Sequence, residues 1–222
     1  MTITRSSAMP RIARPDSRAV FLSHWFVGDA VTGRAVLDEI GDAWERTAWP
    51  EGILAFSAYL SADGDTVMTY TQCADDTAYR PFVRALPAAV ARVEPVEYRL
   101  RRDVVLDSSA AAPGAIVIAS FDVDGPERQE TIVAAVAANL ERSPSAERGG
   151  LIASHFHASL DGTRVINYAE WTTDEAHVLF LEGATRHGSL RITNDMPGVR
   201  PIGFKRYHLH HALARAEDVV VL

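Results

Sequence analysis

Apolar and polar positions follow two periods along this chain, and the same succession of periods occurs twice. The run Ala19-Val-Phe-Leu-Ser-His-Trp25 is short and apolar enough for a buried strand, and Ala115-Ile-Val-Ile-Ala-Ser-Phe121 repeats it 96 residues later. Val36, Leu37, Ile40 and Trp44 then fall at helical spacing, and Ile132, Val133, Val136 and Leu140 stand in the same register after the second run. Next, Ser61-Ala-Asp-Gly-Asp-Thr-Val67 matches Ser159-Leu-Asp-Gly-Thr-Arg-Val165, now 98 residues apart. Asp-Gly between strand-like runs supplies the positive φ angles of a tight turn, so hairpins are expected at Asp63-Gly64 and Asp161-Gly162. A second helix should follow each hairpin, opened by a capping box at Thr172 and Glu175 in the later copy and capped by Asp75 or Asp76 in the earlier one. A last strand closes each copy, Pro95-Val-Glu-Tyr98 answering Pro201-Ile-Gly-Phe204.

Each copy thus reads strand, helix, strand, strand, helix, strand, an α+β arrangement of ferredoxin-like topology with its helices on one face of an antiparallel sheet. The expected organisation is a disordered tail over 1–17, a first copy over 18–106, a small-residue, Pro/Gly linker over 107–114 and a second copy over 115–222. A sheet covered on one side leaves its other face apolar and bare. The two tandem copies are therefore expected to pack sheet to sheet as an intrachain dimeric α/β barrel.

Composition narrows the partners. A hydrophobic share of 47% and a net charge of -7 suit a globular protein and disfavour a phosphate-backbone partner, which clustered Lys and Arg would serve. No apolar run is long enough to span a bilayer. The expected partner is a small, fairly apolar ligand, with neither nucleic acid nor membrane; association into a homodimer stays open. Cys73 is the only cysteine, so there is no intrachain disulfide and no all-thiolate metal centre, and a reducing cytoplasm is the expected location. Arg5, Arg11 and Arg14 precede no apolar h-region, so no secretory signal is expected.

The most informative strand is Arg164-Val-Ile-Asn-Tyr-Ala-Glu-Trp171. Alternation puts Val165, Asn167, Ala169 and Trp171 on one face and Ile166 and Tyr168 on the other. Counting back across the hairpin sets Phe156 opposite Asn167 and Ser154 opposite Ala169, which gives a wall of two flat aromatics and one amide. His155 and His157 then share the opposite face, expected to be the one under the helices. An Asn on an apolar inward face needs a partner, either a neighbouring backbone group or a ligand.

The run from Ser159 to Trp171 resembles the signature of the antibiotic biosynthesis monooxygenase family, nearest to the anthrone-oxidising enzymes of aromatic polyketide pathways. The resemblance covers about Ala115 to Tyr207, and the first copy more faintly. It implies that Asn167, Trp171 and Arg191 line a substrate pocket, with His177 where relatives usually carry Tyr; Phe156, Ala169 and Val165, which alternation puts on the same face, are the further contacts expected. Tyr79 is the corresponding residue of the first copy. There Thr69, Cys73 and Val93 stand in place of Asn167, Trp171 and Arg191, so that pocket is expected to be lost.

The implied activity is oxygenation of a polycyclic aromatic polyketide, of anthrone or phenol type, to a quinone without metal, flavin or haem. In it the substrate loses a proton, with His177 as the base of suitable class, and its carbanion reduces O2. Asn167 holds the substrate carbonyl or phenolate, Trp171 stacks on the rings and Arg191 faces a phenolate. Tandem relatives of the family also include flavin-dependent ring-modifying oxygenases, which makes reduced flavin the alternative cofactor, and the fold also serves non-catalytic ligand binding. His208 and His210 share one strand face but are too few for a metal site, so none is expected. Arg99, Arg101 and Arg102 read as a guarded strand edge, and Gly149-Gly150 opens a strand rather than a phosphate-binding helix.

Overall fold

The computed structural model describes residues 2–87, 93–110 and 112–216. The chain forms two compact units: the residues up to Tyr98 together with those from His208 on, and Arg99–Tyr207. The first unit runs β1 (Ile3–Ser6), β2 (Ala19–Phe26), α1 (Ala30–Arg46), β3 (Ile53–Ser61), β4 (Thr66–Cys73), α2 (Tyr79–Ala85) and the start of β5 (Val96–Val105). The second runs β6 (Ala115–Val123), α3 (Pro126–Arg142), β7 (Leu151–Ser159), β8 (Arg164–Trp171), α4 (Asp174–Leu181), α5 (Ala184–Asp195) and β9 (Val199–Arg215), whose last residues belong to the first unit. Strand order is β1-β9-β3-β4-β2-β5 in the first unit and β5-β7-β8-β6-β9 in the second.

The expected succession of elements is present in both units, and both helix stripes are buried: Val36, Leu37, Ile40 and Trp44 on α1, and Ile132, Val133, Val136 and Leu140 on α3. Asp29 opens α1 by accepting from the N–H groups of Val31 and Thr32, each at 2.9 Å. Gln129 anchors α3 on its hairpin, its amide donating to the carbonyls of Ser159 and Arg164, both at 2.9 Å. Asn139 ties α3 to α5 by donating to Thr185 O and Ser189 Oγ, both at 3.0 Å.

Five sequence expectations are corrected. Residues 1–17 are not a loose tail: β1 pairs antiparallel with the end of β9, Ile12 is buried, and Gln72 donates to the carbonyls of Arg11 and Ile12. The division between units falls inside β5, at Tyr98 and Arg99, rather than at 107–114, because a Pro/Gly-rich stretch marks a turn and not the end of a set of contacts. Within 107–114, Ser109 folds back on Asp107 and Gly114 donates to Trp171 O at 2.9 Å. At the hairpins only the glycines take positive φ, Gly64 at 78° and Gly162 at 80°. Asp63 and Asp161 instead accept from Ser61 and Ser159 Oγ within four-residue connections, 62–65 and 160–163. The cap of α4 is Thr173, which accepts from Ala176 N at 3.1 Å, one residue past the expected Thr172. In the first unit neither Asp75 nor Asp76 caps α2: the N-cap is Ala78, with no side-chain bond, and Asp75 instead accepts from the N–H groups of Thr77 and Ala78 in the turn before the helix.

Among the described residues no helix is long and apolar enough to cross a membrane.

Gly114 tests the close approach of the 107–114 segment to the end of β8. A Cβ there would collide with the carbonyl oxygen of Thr172, which is backbone and cannot swing away. Gly114→Ala is expected to lower stability by about 1–3 kcal/mol in urea titrations. Gly149→Ala, which meets nothing nearer than 3.8 Å, should stay within about 0.5 kcal/mol of the parent.

Candidate active site

The β7–β8 register is the one the alternation predicts: Phe156 faces Asn167 and Ser154 faces Ala169. The covered face, however, is the opposite of the one expected. Phe156, Val165, Ala169 and Trp171 pack in one cluster with Ile132, Val133, Val136 and Leu140 of α3, so this face lies under the helices. His155 and His157 lie on the other face, both buried; His155 Nδ1 reaches Asp103 at 2.5 Å and its Nε2 reaches Glu170 at 3.7 Å. Period-2 alternation says which residues share a face, and only the docking of α3 says which face that helix covers.

Between sheet and helices of the second unit lies a cavity of about 110 Å³. Its floor carries Ser154, Asn167, Ala169 and Trp171, together with Val117 and Ala119 of β6. A register shift between Leu151 and Ala153 brings Leu151 opposite Trp171, and Leu151 joins the lining. His177 and Phe180 of α4 and Phe204 of β9 add a second wall. The His177 ring stands edge to face with Trp171 at 4.9 Å and with Phe204 at 5.1 Å.

Asn167, Ala169, Trp171 and His177 are thus brought together. Phe156 and Val165 are core residues on the same face that do not line the cavity. Arg191 is exposed on α5 and does not line it either; Arg186 does, with Ser189, Leu190 and Thr193. That spacing of three, four and seven residues from Arg186 is an amphipathic stripe that the sequence held and that was missed, because Arg191 sits one position off it. Tyr79 belongs to the first unit, where it stacks on Phe21 at 4.1 Å. It lines a space of only about 30 Å³, since Trp44 stacked on Phe56 at 4.2 Å, with Phe82 against Trp44, occupies the rest.

Three buried polar atoms of the larger cavity's lining have no hydrogen-bond partner among the described residues: Asn167 Oδ1, Trp171 Nε1 and His177 Nδ1. Asn167 is oriented from behind, its Nδ2 donating to Ser154 Oγ at 3.3 Å. Burial pushes the His177 imidazole down to about 4; the positive charges of Arg206 and Arg186 act in the same sense, and Asp174 opposes them. His177 is therefore neutral at pH 7 and able to accept a proton. Burial also lowers Arg186, for which no ion-pair partner exists among the described residues.

Aromatic walls, unpaired polar atoms and a positive field in a cavity between sheet and helices are the features of a small-molecule pocket, here on a ferredoxin-like fold. Solved structures of similar shape carry the same fold. An anthrone oxidase-like protein superposes with a TM-score of 0.66 at 14% identity, over 99% of this chain and 100% of that one. A ferredoxin-fold protein of Listeria monocytogenes related to antibiotic biosynthesis monooxygenases gives 0.51 at 10%, over 87% of this chain and 94% of that one. A major regulator of staphylococcal pathogenesis gives 0.52 at 11%, over 86% and 98%. The likeness read from residues 159–171 thus meets anthrone oxidase-like and monooxygenase-related proteins among its structural neighbours. No family model matches the chain, and no curated protein matches its sequence.

His157, which burial pushes down to about 3, and His177 both bind a proton more weakly folded than unfolded. Between about pH 6.5 and pH 4 the unfolded chain takes up protons that the folded chain refuses, so stability falls as pH is lowered through that window. Urea midpoints measured across it should decline, and His177→Phe should make the decline shallower while keeping the ring contacts. An unchanged slope in His177→Phe would contradict the neutral, buried imidazole.

Proposed function

We propose that the chain is a member of the antibiotic biosynthesis monooxygenase family, made of two tandem copies of one ferredoxin-like module. Its second copy oxidises a polycyclic aromatic of anthrone or phenol type to a quinone with O2, using neither metal nor flavin. The observation that carries this reading is the cavity between Trp171, Phe180 and Phe204, which pairs flat walls with unpartnered polar atoms, a His177 kept unprotonated chiefly by burial, and the positive field of Arg206 and Arg186. The same field favours an anion in the cavity, and an anion of the substrate is what this chemistry needs.

Neutral His177 takes the acidic proton of the bound aromatic at Nδ1. The resulting carbanion is delocalised over the rings, with its charge on the carbonyl oxygen facing Arg186 and the remaining N–H of Asn167. Asn167 Oδ1 accepts from a neighbouring phenol hydroxyl. The carbanion gives one electron to O2; the two radicals combine into a peroxide, which loses water to leave the new carbonyl. One substrate and one O2 thus yield one quinone and one H2O. Trp171 stacks on the rings, and its Nε1–H faces the peroxide oxygen. In the first unit the aromatic side chains fill the equivalent space, which supports a structural part for that copy.

Flavin- and metal-free protein incubated with an anthrone such as dithranol should consume O2 and form quinone well above the spontaneous rate. Asn167→Ala and Trp171→Phe together should remove that acceleration, and Arg186→Met should lower kcat/KM about 10-fold or more while Arg191→Met leaves it unchanged. Acceleration only when reduced flavin is supplied would defeat the cofactor-free reading. Tight binding of the anthrone with no oxygen uptake would turn the site into a carrier.

A further inference from the structure

The first unit carries a side-chain cluster that the oxygenase reading does not use. Asp38 on α1 and the neighbouring residues His210 and His211 on β9 offer one oxygen and two ring nitrogens, all within 4.8 Å of one another. His210 Nε2 already lies 2.8 Å from Asp38 Oδ1, and the two imidazoles are 5.2 Å apart between centroids. His211 is 5% exposed, and neither of its ring nitrogens has a hydrogen-bond partner among the described residues. A buried imidazole with both nitrogens idle costs free energy unless something is bound to it.

We propose that Asp38, His210 and His211 form a site for one divalent cation of the zinc class, clipping α1 to the end of β9 within the first unit. Two imidazoles and a carboxylate are the donors such an ion prefers, and water completes a four-coordinate shell. Bonds of about 2.0–2.1 Å hold donors roughly 3.3 Å apart, so the cluster must close slightly. The side chains that would move are the accessible ones, Asp38 at 61% and His210 at 21% exposure, while His211 stays fixed in the core. Gly41, one turn along α1 from Asp38, makes the approach possible, because a side chain there would occupy the place of the His211 ring edge. The nearby cation, Arg5, is already engaged by Asp42 at 2.8 Å and Glu45 at 3.0 Å, so it does not hold the Asp38 carboxylate. The sequence suggests the pair His208 and His210; in the cluster His210 is joined by His211 instead of His208, and the third donor comes from a helix 172 residues away in sequence.

Tag-free protein stripped with a chelator and titrated with Co2+ should take up one ion per chain and develop the visible absorption of a four-coordinate complex, with Zn2+ abolishing the colour. Asp38→Asn and His210→Gln change accessible side chains, so the fold should survive, and each should weaken Co2+ binding at least about 10- to 100-fold, since even outer-shell partners of a metal are worth that much. His187→Gln, at an exposed position elsewhere, should leave it unchanged. Zn2+ should also raise the thermal midpoint of the parent protein and not of the two ligand variants. No saturable uptake, or uptake undiminished in either ligand variant, would overturn the site.

Discussion

The second unit is organised around polar atoms buried without partners. Asn167 Oδ1, Trp171 Nε1 and His177 Nδ1 all lie in the lining of one cavity, and leaving such an atom unpaired costs on the order of 1–3 kcal/mol. Water or a ligand in the cavity offsets that cost, which is large beside the few kcal/mol by which a fold is stable. Much of the surrounding structure holds these atoms in place. Ser154 fixes the Asn167 amide, Trp171 and Phe204 fix the His177 ring, and Asn139 holds α5, with Arg186, over the floor.

The two units show how one pattern of elements yields a cavity in one case and a filled core in the other. Both bury the same helical stripe against the same strands. In the first, Trp44, Phe56, Phe21 and Tyr79 stack within about 4 Å of one another in pairs and leave little space. In the second, Leu140, Ser154 and Val117 stand where the repeat puts Trp44, Phe56 and Phe21, and all three line the cavity, so volume that aromatic side chains fill in the first unit is left open. Packing density in an interior is nearly constant, so small residues at facing positions are the direct cause of the cavity.

Electrostatics completes the site. Arg186 and Arg206 act on His177 in the same sense as burial, and all three keep it neutral. A lone neutral imidazole of such low affinity for protons is a weak base in water. The same two guanidinium charges that weaken the imidazole as a base would stabilise an anion bound beside it.

The sequence by itself determined the strand–helix–strand–strand–helix–strand succession of both copies, though not β1 or α5, the buried stripes of α1 and α3, and the register that sets Phe156 against Asn167. These depend on local periods of 2 and 3.6 residues and on turn chemistry, which neighbouring residues encode. It also grouped Asn167, Ala169 and Trp171. Only the tertiary structure decided that this face lies under the helices, that Arg186 and not Arg191 reaches the cavity, that residues 2–12 are held by β9 and Gln72, and that Asp38 meets His210 and His211. Each of these depends on how a helix or strand is rotated and docked, and docking minimises exposed surface over the whole unit. A single stretch of chain does not contain that sum, so no local pattern reveals it.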